Sequence, residues 1–320
     1  MAKAADASPR PRNYPYRDGS IIKLDYCPED PEESEPDTNN AVEHTKKPIP
    51  LSLKVVRTLA TTFSCSQMIL KLCDRRFSRG LRDDYEATEW TPDIEAAYVA
   101  FQNLPDDQRP EIRLTRRVSN EHWPAGHREA YLQKWCDKLY AQELEVYRNL
   151  ADVQGEKIPI LYGTVSVRDK TRRSQKIEQV QGLLMEYKNP SFPLRDIPER
   201  IPNRDLWHDI GKASVKLVQE IGDMGVLNRD IRLDNILVLE LEGEMESFKV
   251  FMIDFGIART QGENETDEEF RKARRSQDEE GAIGYVLEQY LMRNAGGDKP
   301  FKFNHSRRLE RPWDDDEADI

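Results

Sequence analysis

The chain has 320 residues, 38% of them hydrophobic and 33% charged, with a formal net charge of -11; that length supports one large core or two smaller ones. The acidic balance excludes a general nucleic-acid binder, which needs a dense positive surface. No apolar run is long enough to span a bilayer and no charged-then-apolar leader opens the sequence, so a cytoplasmic or nuclear protein without membrane contact is expected.

Residues 1–49 mix small, polar and proline residues with an acidic run from Glu29 to Asp37. Such a stretch buries too little apolar area to offset its ordering entropy, so a solvated extension is expected, with binding of a protein partner through the acidic run as the alternative. From Leu51 the pattern changes: LSLKVVRTL and SQMILKLCD read as short strands. Residues 74–128 are highly charged and read as an insertion, with a short helix over 93–103 that carries Ile94, Ala97, Tyr98 and Phe101 on one side. A long helix over 128–151 follows, its face built by Leu132, Trp135, Leu139, Tyr147 and Leu150 with Glu143 at the same period.

Strands are expected at 160–165 and 178–187, the second leading through KNPSFP as a linker. Leu206, Ile210, Ala213, Leu217 and Ile221 then recur at helical spacing. Val226-Leu227, Ile236–Leu239 and FKVFMIDF read as strands, residues 266–280 as a solvated helix, and GAIGYVLEQYLM as a last buried helix. Cys27, Cys65, Cys73 and Cys136 show neither metal-binding spacing nor a disulfide framework, and Cys73 and Cys136 are expected to be buried thiols.

The sharpest segment is GVLNRDIRLDNILV followed by FMIDFGIA. Asp230 and Asn235 stand five apart, and Asp254 opens an Asp-Phe-Gly sequence nineteen residues further on. A site for phosphoryl transfer needs hard oxygen ligands for a metal ion and one group to orient the incoming hydroxyl. An aspartate and an asparagine supply the first, and a second aspartate the other.

These motifs resemble the eukaryotic protein kinase family, and ILKLCDRRF, EVYRNL, IPILYG and DEEGAIG resemble fungal kinase-like proteins of that superfamily. The resemblance covers about Leu51 to Met292. It implies an α+β, two-lobed fold, with a small antiparallel-sheet N-lobe over 50–188 interrupted by the insertion at about 74–128. A shortened, mainly helical C-lobe would follow over 189–300, with a polar acidic tail over 301–320. It also implies ATP and Mg2+ as cofactors, with Asn235 and Asp254 on the metal, Asp230 facing the acceptor hydroxyl and Arg232 near the transferred phosphate. Lys71, preferred to Lys54, would reach the ATP phosphates and pair with Glu143, for which Glu145 is the rival. Met185 would close the back of the adenine pocket, and Glu186 and Tyr187 would form the linker along the adenine edge.

Three departures qualify the resemblance. The glycine phosphate loop is replaced by TLATTFSCS, where Thr61, Thr62 and Ser64 could take over; Asn228 replaces a histidine; and only 66 residues follow Asp254, with no Ala-Pro-Glu. The economy of the second half is similar to that of aminoglycoside and choline kinases. The expected activity is phosphotransfer to a protein serine or threonine or to a small-molecule hydroxyl. The alternatives are a pseudokinase or nucleotide-sensing scaffold that binds a protein through the acidic extension or the insertion, and nucleotidyl transfer.

Overall fold

The computed structural model describes residues 23–27, 56–57, 67–114, 123–168, 179–241, 247–306 and 308–309. It is an α+β fold of helices and small antiparallel sheets. No helix of the described residues is long and apolar enough to cross a membrane. The chain divides into two compact units, Met1–Tyr140 with Tyr162–Met185, and Ala141–Leu161 with Glu186–Ile320.

The first unit is built on a five-stranded sheet in the order β1-β4-β5-β3-β2, formed by Lys23–Cys27 (β1), Val56–Arg57 (β2), Gln67–Leu72 (β3), Leu161–Arg168 (β4) and Gln179–Glu186 (β5). β1 departs from the expected solvated extension: its backbone pairs antiparallel with β4, Lys23 opposite Arg168 and Cys27 opposite Thr164. Pairing a sheet edge satisfies main-chain groups whatever the composition around it. Residues 51–55 and the turn with Thr61, Thr62 and Ser64 lie outside the described residues. Met68, Leu70, Val165 and Leu184 form one apolar cluster on this sheet. Gly182 lets β5 come close to β3, since a Cβ there would stand 2.6 Å from the Lys71 carbonyl oxygen and 2.8 Å from Leu72 Cδ2.

The insertion folds into Arg79–Asp84 (α1) and Pro92–Gln102 (α2) and leads into the 25-residue helix Ala125–Asn149 (α3). Thr91 caps α2 by accepting from Ile94 N–H, and Pro92 sits in its first turn. Tyr98 and Phe101 are buried as the helical period requires, but so is Glu95, which the apolar pattern did not single out. The reason is a buried ion network. Arg75 donates to both oxygens of Glu95 at 2.9 and 3.0 Å and to Glu129 Oε2 at 2.6 Å, while Arg82 donates to Glu129 Oε1 at 2.7 Å. The Trp90 indole donates to Glu95 at 2.7 Å, and the Arg75 guanidinium lies 3.8 Å from the Tyr98 ring centre. Cys136 is buried, as expected, but Cys73 is only half-buried, because it stands at the end of β3, where the chain turns into the insertion.

The second unit begins within α3, so Glu143, Tyr147 and Leu150 are grouped with the later half of the chain rather than with the sheet residues before position 188. It contains Ile197–Arg200 (α4), Asp205–Asp223 (α5), Asp267–Gln277 (α6) and Glu279–Asn294 (α7). Its strands are Ser191–Pro193 (β6), Val226–Leu227 (β7), Ile236–Glu240 (β8), Phe248–Met252 (β9) and Arg259–Thr260 (β10). β6, β8 and β9 form an antiparallel sheet, and β10 pairs with β7.

Three details differ from the sequence reading. The expected linker KNPSFP supplies β6, which pairs Phe192 with Val238. The buried face of α5 runs through Trp207, Ile210, Ser214, Leu217, Val218 and Ile221, leaving Ala213 exposed; Ser214 fits because its hydroxyl donates to the Ile210 carbonyl at 2.8 Å. The start of the expected polar tail is anchored by Phe301 and Phe303, both buried.

Glu129 is the one carboxylate shared by Arg75 and Arg82, all three almost fully buried. Its removal takes from Arg82 its buried carboxylate and from Arg75 one of two, so Glu129→Ala is expected to lower unfolding stability by roughly 3–5 kcal/mol. Chemical denaturation measures this, and a change below about 1 kcal/mol would show the network to be solvated.

Candidate active site

The loop between β7 and β8 carries Asp230 and Asn235 and is held by its own amides. The Asp230 backbone N–H donates to Asn228 Oδ1 at 2.9 Å. The Asn235 side-chain amide donates to the Asp230 carbonyl at 2.9 Å and to Asp230 Oδ2 at 3.0 Å. Arg232 adds an ion pair to the same Oδ2 at 3.0 Å, its guanidinium exposed. Among the described residues no hydrogen bond reaches Asp230 Oδ1, so the carboxylate has one oxygen fixed by donors and one left as an acceptor.

β8 and β9 bring the second aspartate to this loop. Ile236 stands opposite Met252, and the Ile253 N–H donates to the Asn235 carbonyl at 2.9 Å, so residues 235 and 253 are bound directly. Asp254 follows in a left-handed backbone with φ of 66°. Non-glycine residues disfavour that region by about 1–2 kcal/mol, and the surroundings must therefore impose it. Phe255, fully buried, packs its ring edge-on to Tyr147 with centroids 5.8 Å apart. Asn228 closes the circuit, its side-chain amide pointing to the Asp254 carbonyl at 3.5 Å, a long and weak contact.

Helix α3 contributes Glu143, which is buried, whereas the rival Glu145 is exposed and accepts from the Thr260 hydroxyl. The Tyr147 hydroxyl is pushed well above its ordinary pKa by burial and then by the charges of Glu143, Asp254 and Glu186. Three carboxylates from α3, the Asp-Phe-Gly turn and the end of β5 thus share one neighbourhood.

That observation tests whether a magnesium ion fits. Among the described residues no group of three or more His, Cys, Asp or Glu side chains is arranged to hold a metal ion. The candidate donors are of mixed type: Asn235, whose amide nitrogen donates to Asp230, has a neutral oxygen, and Asp254 has a carboxylate. A hard cation that retains waters and phosphate oxygens needs only one or two such protein ligands, so the pair fits it.

Lys71 is half-buried in the middle of β3, in the first unit, and Glu143 belongs to the second. Met185 is buried near the end of β5 and is the last residue of its unit. Glu186 is tied at both ends: its N–H donates to the Ile160 carbonyl at 2.8 Å, and its carboxylate accepts from Ile160 N–H at 3.0 Å and from Lys188 at 2.8 Å. Its side chain is thus a brace between two chain segments. Tyr187 is half-buried beside it.

Sequence reasoning missed Glu279. This buried residue in the first turn of α7 accepts from the Asn228 N–H at 2.8 Å and so holds the loop from the side opposite Asp230. Its pKa is pushed up to about 7, chiefly by burial and also by Glu280, against the opposing pull of the Asn228 N–H and of Arg274, whose Nε lies 3.8 Å away. The doublet in DEEGAIG was the available signal, because two acids opening a buried helix call for donors.

The folded Glu279 carboxyl keeps its proton to about pH 7, whereas its ordinary value is 4.5. Between those values the folded state binds more protons than the unfolded one, so this group makes stability fall as pH rises. Glu279→Gln retains an acceptor for Asn228 and removes the titration. Across that window wild type is expected to lose on the order of 3 kcal/mol relative to the variant. Denaturation curves on both sides of the window check this, and parallel pH profiles would assign the titration elsewhere.

No protein-family profile matches the chain, and no curated protein matches it in sequence. A solved structure described as WaaP in complex with acyl carrier protein is similar to it over 56% of this chain and 69% of that one, at 17% identity and a TM-score of 0.34. A likeness that weak carries no argument about the site.

Proposed function

We propose that the chain is an ATP- and Mg2+-dependent phosphotransferase acting on a hydroxyl, with the two-lobed organisation that the motif resemblance implies. The observation that supports this best is the hydrogen-bonded pair of Asp230 and Asn235, with Ile253, the residue before Asp254, donating its N–H to the Asn235 carbonyl.

In this reading Asp230 Oδ1 accepts the proton of the incoming hydroxyl while Oδ2 stays held by Asn235. Holding one oxygen fixes the lone pairs of the other, and that orientation lowers the entropy of attack. Arg232, exposed and already paired with Asp230, can swing to a transferring phosphoryl group without new desolvation. When bound, magnesium would neutralise phosphate charge, held by Asn235 and Asp254. Lys71 would meet the phosphates and be ordered by Glu143. Met185, Glu186 and Tyr187 would border the adenine. The acceptor is a protein serine or threonine or a small molecule.

Calorimetry of ATP with magnesium, with ADP release followed in the same samples, tests this. Asp254→Asn is expected to abolish magnesium-dependent binding. Asp230→Asn should keep ATP affinity within about threefold and lower turnover by about a hundredfold or more. Undiminished turnover in Asp230→Asn would sink the role given to that residue. Wild type that binds no ATP would leave a protein-binding scaffold as the better account.

A further inference from the structure

The segment Phe301–Ser306, and Arg308 after it, are fastened to α5, α7 and the turn before α7 at successive points. Phe301 fills a notch at Gly211, where a Cβ would come 2.6 Å from its ring, and Phe303 fills another at Gly284. Phe303 N–H donates to Glu288 at 2.9 Å. Ser306 then donates to Glu280 through its N–H at 3.2 Å and its hydroxyl at 2.7 Å, and Arg308 pairs with Asp223.

His305 lies between these anchors. Its Nε2 is 2.6 Å from Asp278 Oδ1 and its Nδ1 is 2.8 Å from the Ser306 carbonyl oxygen. Both partners are acceptors. A neutral imidazole carries one N–H and can satisfy only one of them, whereas the imidazolium satisfies both. Asp278 in turn caps α7 by accepting from Gly281 N–H at 3.1 Å.

The segment therefore holds Asp278 and Glu280, the two neighbours of Glu279, and Glu279 holds the Asn228 N–H. We propose that Phe301–Ser306 is a proton-dependent strap that positions the Asp230 loop: protonated His305 fastens the turn at Asp278–Glu280, and its deprotonation loosens that turn and, through Glu279, the loop. This rests on the phosphotransferase reading only where it concerns turnover; the fastening itself does not.

The electrostatic surroundings agree with that direction. The His305 pKa is raised, first by the hydrogen bond to Asp278, then by the Ser306 carbonyl and the charges of Asp278 and Glu280, against desolvation. The shallow recess at this point is lined also by Glu279 and by Arg274 and Arg275 of α6, and Asp223 of α5 pairs with both Arg274 and Arg308. The acids nearest the imidazole favour its charge, while Arg274 is engaged by Asp223 at 2.9 Å. A histidine whose folded pKa is raised stabilises fully below its unfolded value and loses that contribution as pH rises through the folded one.

Amide hydrogen exchange over residues 226–235, corrected for intrinsic rates, reads the loop directly in the full chain. All forms carry Glu279→Gln, which keeps the acceptor for Asn228 but removes that residue's own titration at about 7; with His305 in place, protection is then expected to fall by about tenfold between about pH 6 and about pH 8. His305→Lys, which keeps a cation at both values, should hold protection nearly level. His305→Asn should be weakly protected at both. Ser306→Ala, which removes one anchor but no titration, should lower protection at both and keep the pH slope. His305→Asn with the level and slope seen with His305 in place, or His305→Lys indistinguishable from His305→Asn, would overturn the strap. Should His305→Asn fail to fold, the His305→Lys and Ser306→Ala profiles still decide. Where ADP release occurs, kcat should follow the same pH profile and lose it in His305→Lys. The exchange pattern without any ADP release would reject phosphotransfer and keep the strap; turnover without the pattern would do the reverse.

Discussion

The geometry of the candidate site depends on a single buried amide, Asn228. With no exposed surface, it must find all its partners inside the protein. Its N–H donates to Glu279, its side-chain oxygen accepts from Asp230 N–H, and its side-chain amide points at the Asp254 carbonyl. Three segments far apart in sequence are thereby referred to one residue. A histidine at this place could donate and accept through its ring; the asparagine does both through its side-chain amide.

Buried charge is handled differently in the two units. Around Arg75 the carboxylates of Glu95 and Glu129 are matched by two guanidinium groups, so the cluster is internally compensated and acts as a clamp between α2, α3 and the end of β3. Around Tyr147 the three carboxylates Glu143, Asp254 and Glu186 press on one hydroxyl. Glu186 is answered by Lys188 at 2.8 Å.

The motif residues were legible because chemistry restricts their types and spacing together. Asp230, Asn235 and Asp254 could be read as a set, and Glu143 could be told from Glu145 because helical periodicity sends one inward and the other out. Ala213 was misplaced because Ser214 can be buried once its hydroxyl bonds back to Ile210, which an apolar count cannot register. Glu95, Glu129, Arg274 and Glu279 were invisible for a related reason: each is buried with a partner between 20 and 54 residues away, and local pattern holds no record of pairings over that distance. Phe301 and Phe303 were lost in a polar tail because the glycines that receive them, Gly211 and Gly284, lie in helices where glycine looks like a weakness rather than a notch.

That notch logic also bears on what the site can tolerate. Glycine within a helix costs about 1 kcal/mol relative to alanine, and α5 and α7 each carry a helical glycine pressed against a phenylalanine of the C-terminal segment. The helices are thus weakened locally in order to seat that segment, and α7 also carries Glu279 in its first turn. An arrangement selected only for helix stability would have filled both positions with alanine and left the segment outside. The glycines make sense if the seated segment returns more than it removes, through burial of two aromatic rings and through the hydrogen bonds that fix Asp278 and Glu280 on either side of the residue gripping Asn228. The loop that carries Asp230 is thus joined to the Phe301–Ser306 segment through Glu279 and its two neighbours as well as being held by its own hydrogen bonds.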